Sequence, residues 1–179
     1  MELTQLALDC GAYGAELLPV DKIVLNGGFR ALCEQNSCGN YGKTYMCPPY
    51  IGTIEELMEQ VRGYDCALLY QTVAPLEDSF DFEGMTEGGR QHALVSRAIH
   101  AALPPELGEV LHMAGGGCKL CERCAKADDL PCRHPEEALG SLSAYGVDVY
   151  NTAKATRLKY INGQNTVTYF GMVLFKERA

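Results

Sequence analysis

The chain is poor in positive charge and has no tryptophan at all. Its 15 Lys+Arg stand against 23 Asp+Glu, a formal charge of −8 and a pI near 5.0. Phosphate backbones need a basic face, and no Lys/Arg run supplies one, so nucleic acid is excluded as a partner. The same acidity disfavours anionic lipid surfaces. No apolar stretch approaches the roughly 18–20 residues of a membrane helix. The opening Met-Glu-Leu-Thr-Gln has neither the basic nor the apolar region of a secretory leader, so a cytoplasmic protein is expected. G-x-S-x-G, H-E-x-x-H and paired-carboxylate motifs are missing too, which leaves hydrolase chemistry without support.

What is abundant is cysteine: nine in 179 residues, an odd number for a disulfide framework. In a reducing compartment, spaced cysteines read as metal ligands or redox centres. The length and the hydrophobic share of 47% suit one domain over residues 1–179 with a real core.

The apolar patterning predicts mixed elements. A short helix is expected over Leu3–Leu8 and a strand over Lys22–Leu25. Thr53 and Glu56 form a capping-box pair ahead of Ile54, Leu57, Met58 and Val61, an i, i+3, i+4, i+7 stripe. A buried strand follows at Cys66–Val73, then an acidic surface loop at Glu77–Glu87. A helix is read over Arg90–Leu103, stopped by Pro104-Pro105, and a strand over Glu109–Met113. Pro135 is placed to start a helix that Gly146 ends, and Asp148–Thr156 has helical character. Arg157–Ile161, Asn162-Gly163 and Thr166–Phe175 read as a terminal hairpin. Helices and strands do not alternate strictly. The expected class is α+β, a single domain with a mixed or mainly antiparallel sheet and two cysteine-rich metal-binding loops.

Cys118, Cys121 and Cys124 form a C-x2-C-x2-C run, closed by Cys132 after seven residues. Two-residue spacing turns successive sulfurs toward neighbouring irons of one cubane, and a more distant cysteine completes the set, as in ferredoxin-type ligation. The pattern points to a [4Fe-4S] cluster. Zinc is the competing ion, although tetrahedral zinc sites usually draw on two separated C-x2-C pairs. His134 beside Cys132 is read as a surface histidine ahead of a zinc ligand.

Cys33, Cys38 and Cys47-Pro48-Pro49 form a second, less regular set. It suggests a further cluster whose fourth iron is open, or is ligated from elsewhere; a buried, inert role is the alternative. Ser37 to Thr44 superficially matches a phosphate-binding loop. Ser37 replaces its first glycine and Pro48-Pro49 forbids the helix that must follow, so nucleotide binding is rejected. Lys43 reads as a solvated lysine. Cys10 and Cys66 read as small core residues. His92, His100 and His112 show no i, i+4 ligand pair and are assigned surface or core roles.

The blocks Cys33…Cys38…Tyr41-Gly42-Lys43…Cys47-Pro48-Pro49 and Gly117-Cys118…Cys121…Cys124…Pro131-Cys132-Arg133…Pro135-Glu136 resemble an uncharacterised family. Its members are small prokaryotic proteins described as predicted metal-binding proteins of unknown function. The resemblance runs from about Lys22 to Phe175. It implies metal binding by the seven cysteines and leaves Cys10 and Cys66 outside the ligand set. The sequence thus predicts an iron–sulfur protein of redox or sulfur metabolism. Three roles remain in view: an electron carrier with a redox partner protein, a cluster-dependent enzyme acting on a small sulfur-containing substrate, and a structural zinc module.

Overall fold

The computed structural model describes residues 2–177. Five strands form one sheet: β1 (Gly14–Pro19), β2 (Cys66–Pro75), β3 (Val110–Ala114), β4 (Gly140–Ser141) and β5 (Thr166–Phe175), in the order β1-β2-β5-β3-β4. All neighbours are antiparallel except β3 and β4, which run parallel. With helices α1 (Leu3–Asp9), α2 (Phe29–Glu34), α3 (Ile54–Arg62), α4 (Phe82–Ala102) and α5 (Val149–Ala153), the protein is α+β, as expected.

The sheet carries a core on each face. On one side Leu69, Met113, Met172 and Leu174 meet Leu57 and Val61 of α3 and the 142–147 segment. On the other, Leu68, Tyr70 and Val173 meet Leu3, Leu6 and Ala7 of α1 and Ile99 of α4. This explains the near-continuous apolar run of β2: a strand covered on both faces does not alternate with polar residues.

Locally encoded elements lie where the sequence puts them. The Thr53 hydroxyl accepts from the Glu56 N–H while the Glu56 carboxylate accepts from the Thr53 N–H, closing the capping box of α3. The Asp148 carboxylate likewise caps α5.

Four expectations are corrected. The first strand is Gly14–Pro19, and within Lys22–Leu25 only Leu25 makes a β-bridge, to Val147. Gly14 and Pro19 disguise this edge strand, whose other side is free of sheet partners. Helix α4 begins at Phe82, capped by Asp81, so it absorbs half of the supposed acidic loop. Gly88 and Gly89 weaken the local helix signal, but they let the helix press against Ala74, Val167 and Tyr169. Pro135 starts a single turn rather than a helix, with the Glu137 and Ala138 N–H groups donating to the His134 carbonyl. Arg157–Ile161 is not a strand. β5 pairs along its full length with β2 and in part with β3, and that long-range pairing displaces the local hairpin.

Between α4 and the sheet lies a buried polar layer. The Tyr70 ring crosses directly over Gly171, where a Cβ would come within 2.1 Å of the ring. Tyr70 is packed between His92, stacked at 5.8 Å, and His112, edge-on at 5.8 Å. Burial pulls His92 down to about 4. His112 falls to about 3 through burial first, then the neighbouring His100 and His92.

Two predictions follow from this layer. Gly171→Ala must displace the Tyr70 ring and is expected to cost about 1–3 kcal/mol, measurable by urea unfolding. Because both histidines bind their protons less readily folded than unfolded, stability is fully present above about pH 6.5. It declines as the pH falls toward 4, by roughly 1.4 kcal/mol per pH unit per histidine. His92→Gln should flatten the acid limb of a stability–pH curve; an unchanged limb would refute the assignment.

Candidate metal centre

β3 ends at Ala114 and delivers the chain to Gly115-Gly116-Gly117 and the C-x2-C-x2-C loop. Gly117 has φ of +73°, the left-handed region that favours glycine, which turns Cys118 back toward the body of the protein. Cys118, Cys121, Cys124 and Cys132 all line one cavity, together with Tyr45 and His134. Burial pushes the Cys118 thiol up, the Leu120 and Leu139 N–H groups oppose this, and the neighbouring Cys132 and Cys124 add to it. The four cysteines predicted from spacing therefore border a common space.

The other set is built by the end of α2 and the loop after it. Cys33 sits in the last turn of α2, and Cys38 and Cys47 follow in a loop folded by tight turns. The Asn36 side chain accepts from the Tyr41 N–H at 3.0 Å, and the Pro48 carbonyl accepts from the Gly42 N–H at 2.8 Å. Burial raises the Cys33 thiol, Arg30 lowers it, and Cys38 and Cys47 raise it again. The three sulfurs are thus close enough to repel one another when charged. Lys43 is exposed, as expected.

The spacing did not reveal that the two sets adjoin. Burial raises Cys47 first, Thr44 opposes, and both Cys38 and Cys124 raise it further, so Cys47 stands between the groups. A Cβ on Gly117 would lie 4.0 Å from the Cys47 sulfur. Two contacts fasten the loops together. The Tyr45 hydroxyl donates to the Leu130 carbonyl at 2.8 Å, and Lys126 sits 4.3 Å above the Tyr50 ring. All nine cysteines are unpaired, and Cys10 and Cys66 lie apart from this field, against the α1/α4 core. Among the described residues no three His, Cys, Asp or Glu side chains stand in the geometry of a single bound ion. The thiols are gathered without closing on one point.

Arg30 escaped the sequence reading. Its Nε and Nη2 are buried and, among the described residues, have no hydrogen-bond partner, one helical turn before Cys33. Two buried donors without acceptors are costly even on a half-buried side chain, and the forked guanidinium matches an anion. A metal-bound group of negatively charged thiolates at the Cys33 set would supply the missing acceptors, so the residues present fit such a group. An arginine at i−3 from a ligand-type cysteine was the available signal, since that spacing puts both on one helix face.

A family model described as predicted metal-binding protein (DUF2284) matches residues 16–175. No curated protein and no solved structure matches the chain. Among the described residues no helix is long and apolar enough to cross a membrane.

The orphaned guanidinium yields a prediction. Arg30→Met should stabilise the metal-depleted chain, by on the order of 1–3 kcal/mol in urea unfolding. The same variant should retain less metal at the Cys33 set. A loss of stability in the metal-depleted form would contradict the absence of an internal partner.

Proposed function

Since the chain belongs to the DUF2284 family of predicted metal-binding proteins, we propose that Cys118, Cys121, Cys124 and Cys132 hold a [4Fe-4S] cluster in a protein of redox or sulfur metabolism. The observation that carries this reading is the convergence of all four cysteines on one cavity. Three cysteines within seven residues suit the corners of a cubane better than one tetrahedral ion. The Leu120 and Leu139 N–H groups aimed at the Cys118 sulfur suit a ligand that stays a thiolate. His134 borders the same cavity and would serve zinc, the competing ion.

Cys33, Cys38 and Cys47 are proposed to hold a second cluster, leaving one iron without a protein ligand. The buried Arg30 donors favour an anion there, such as a small sulfur-containing substrate. When bound, such clusters supply electron transfer or, at an open iron, Lewis-acid chemistry. The chain's own contribution would be Cys47, the member of this set that senses Cys124 of the other, giving electrons a short path between the two. Desulfidase-like or sulfur-transfer activity is therefore favoured at the three-cysteine set, with electron transfer through the four-cysteine set. The setting proposed is the prokaryotic cytoplasm, with a redox partner protein.

Iron, zinc and acid-labile sulfide measured on anaerobically purified protein test this. About eight irons and eight sulfides per chain are expected for two clusters, and about four of each for one. Cys47→Ala should lose the second cluster and keep the first, and Cys124→Ala should lose the first. Stoichiometric zinc without sulfide would overturn the proposal.

A further inference from the structure

The polar layer under α4 contains a continuous line of hydrogen-bonding groups that the metal reading does not use. His92, Ser96 and His100 lie at i, i+4 and i+8 on one face of α4 and meet Tyr70 of β2 and His112 of β3. Ser96 Oγ is 2.8 Å from the Tyr70 hydroxyl, which is 2.7 Å from His112 Nε2. His112 Nδ1 is 3.3 Å from His100 Nδ1, and His100 Nε2 is 3.1 Å from the Glu136 carbonyl. Ser96, Tyr70 and His112 are at most 4% exposed, whereas His100 is half-buried. At the inner end Ser96 borders a small cavity of about 30 Å³, lined also by Gly115, Gly117, Cys118 and Lys119. That is room for a water molecule or two.

The donors and acceptors allow two arrangements of the hydrogens. The Glu136 carbonyl can only accept, so His100 Nε2 carries a proton in both. In the first arrangement His100 also donates from Nδ1 to His112 Nδ1 and is an imidazolium. His112 then donates from Nε2 to the Tyr70 oxygen, Tyr70 to Ser96, and Ser96 to the His92 carbonyl 2.8 Å away. In the second, every link is reversed. Ser96 donates to Tyr70, Tyr70 to His112 Nε2, and His112 from Nδ1 to a neutral His100. His92 flanks the inner end of this line: its Nε2 lies 3.4 Å from Ser96 Oγ and accepts from the Gly115 N–H at 3.2 Å, leaving Nδ1 to donate to the Thr72 hydroxyl at 2.9 Å.

The two arrangements differ by a single proton and interconvert by short hops. Ser96 turns its hydroxyl from the His92 carbonyl and passes its proton to an acceptor in the cavity, a water or an anionic substrate atom. Tyr70 refills Ser96, His112 Nε2 refills Tyr70, and His100 Nδ1 refills His112 Nδ1. One O–H or N–H bond breaks and one forms at each link, and the net change is one proton moved from His100 to the cavity. We propose that Ser96, Tyr70, His112 and His100 form a proton relay between the half-buried His100 and the cavity beside Cys118. It serves a reaction in which the cysteine site takes up or releases a proton. An apolar layer would be the less costly way to pack α4 on the sheet, since each buried polar group demands a partner.

His112 and the Glu136 turn lie against His100, Tyr70 and His92 adjoin His112 and Ser96, and Arg97, Lys119 and Glu137 are the charged groups lining the cavity at the other end. Imidazole nitrogen NMR on the full chain, 15N-labelled at histidine and followed across pH, reads the relay directly. His112 is expected to carry its proton on Nε2 while His100 is charged and on Nδ1 once His100 is neutral, changing at the same midpoint. In Ser96→Ala the Tyr70 hydroxyl has only His112 Nε2 to donate to. His112 should then hold the Nδ1–H form at every pH, and His100 should lose its proton at lower pH than in the wild type. A single unchanging His112 tautomer in the wild type overturns the relay whether or not the variant folds. So does a folded Ser96→Ala protein with wild-type titrations. The reading of imidazole nitrogens is independent of which metal the thiols carry, so this test and the metal quantitation fail separately.

Discussion

The placement of β5 between β2 and β3 is the constraint on which the cysteine field depends. Ten consecutive residue pairs join β5 to β2, from Cys66 with Phe175 to Pro75 with Thr166. On its other edge, Met172 faces Met113 and Gly171 faces Ala114. That second pairing fixes where β3 stops, and therefore where Gly115–Gly117 turns and where Cys118 emerges. Because side chains alternate with period two, a one-residue slip would exchange the two cores. It would also carry Tyr70 away from the Gly171 backbone it lies over. Sheet register and site geometry are one specification here.

The parts legible in the sequence are those whose physics is local. The capping box at Thr53–Glu56, the stripe on α3 and the doubly buried β2 need only their own residues to be recognised. Cysteine spacing belongs to the same class, since C-x2-C-x2-C constrains a short loop whatever surrounds it. What stayed hidden depends on contacts between distant residues. Thr166–Phe175 has a plausible hairpin partner at Arg157–Ile161, but burial of Met172 and Leu174 in the middle of the sheet is worth more than a local turn. Helix α4 was read short because Gly88 and Gly89 are poor helix formers. Their value lies in close approach to Tyr169, which only the fold defines. The nearness of Cys47 to Cys124 is another such fact: 77 positions separate them in the chain, and contacts such as Tyr45 to Leu130 bring their loops together.

The histidines show how a search for one chemistry passes over another. Sought as metal ligands, His92, His100 and His112 offered no i, i+4 pair. The i, i+4, i+8 stripe is present once Ser96 is included between His92 and His100. A serine is a poor ligand for iron or zinc but a good hydrogen-bonding bridge, able to donate and accept at once.

Charge explains why a thiol-rich site and a polar layer should lie side by side. Thiolates gathered in a partly buried place would concentrate negative charge once a metal is bound, and any change of oxidation or ligand state there would alter that charge. In a medium of low dielectric the change is expensive unless a counter-charge moves with it. Arg30 is a fixed counter-charge whose Nε and Nη2 have no partner among the described residues. A proton is a movable one, and the two differ in what they allow. A fixed guanidinium favours one charge state permanently, whereas a proton drawn from His100 can follow the site between two. Burial keeps His112 neutral, so it can pass a proton without storing one. The half-buried His100 is the member of the line nearest to water, where a positive charge is best solvated. The sheet thus presents the cysteine loop at the end of β3, while Tyr70 and His112 on β2 and β3 lie under α4 and connect through Ser96 to the cavity beside Cys118.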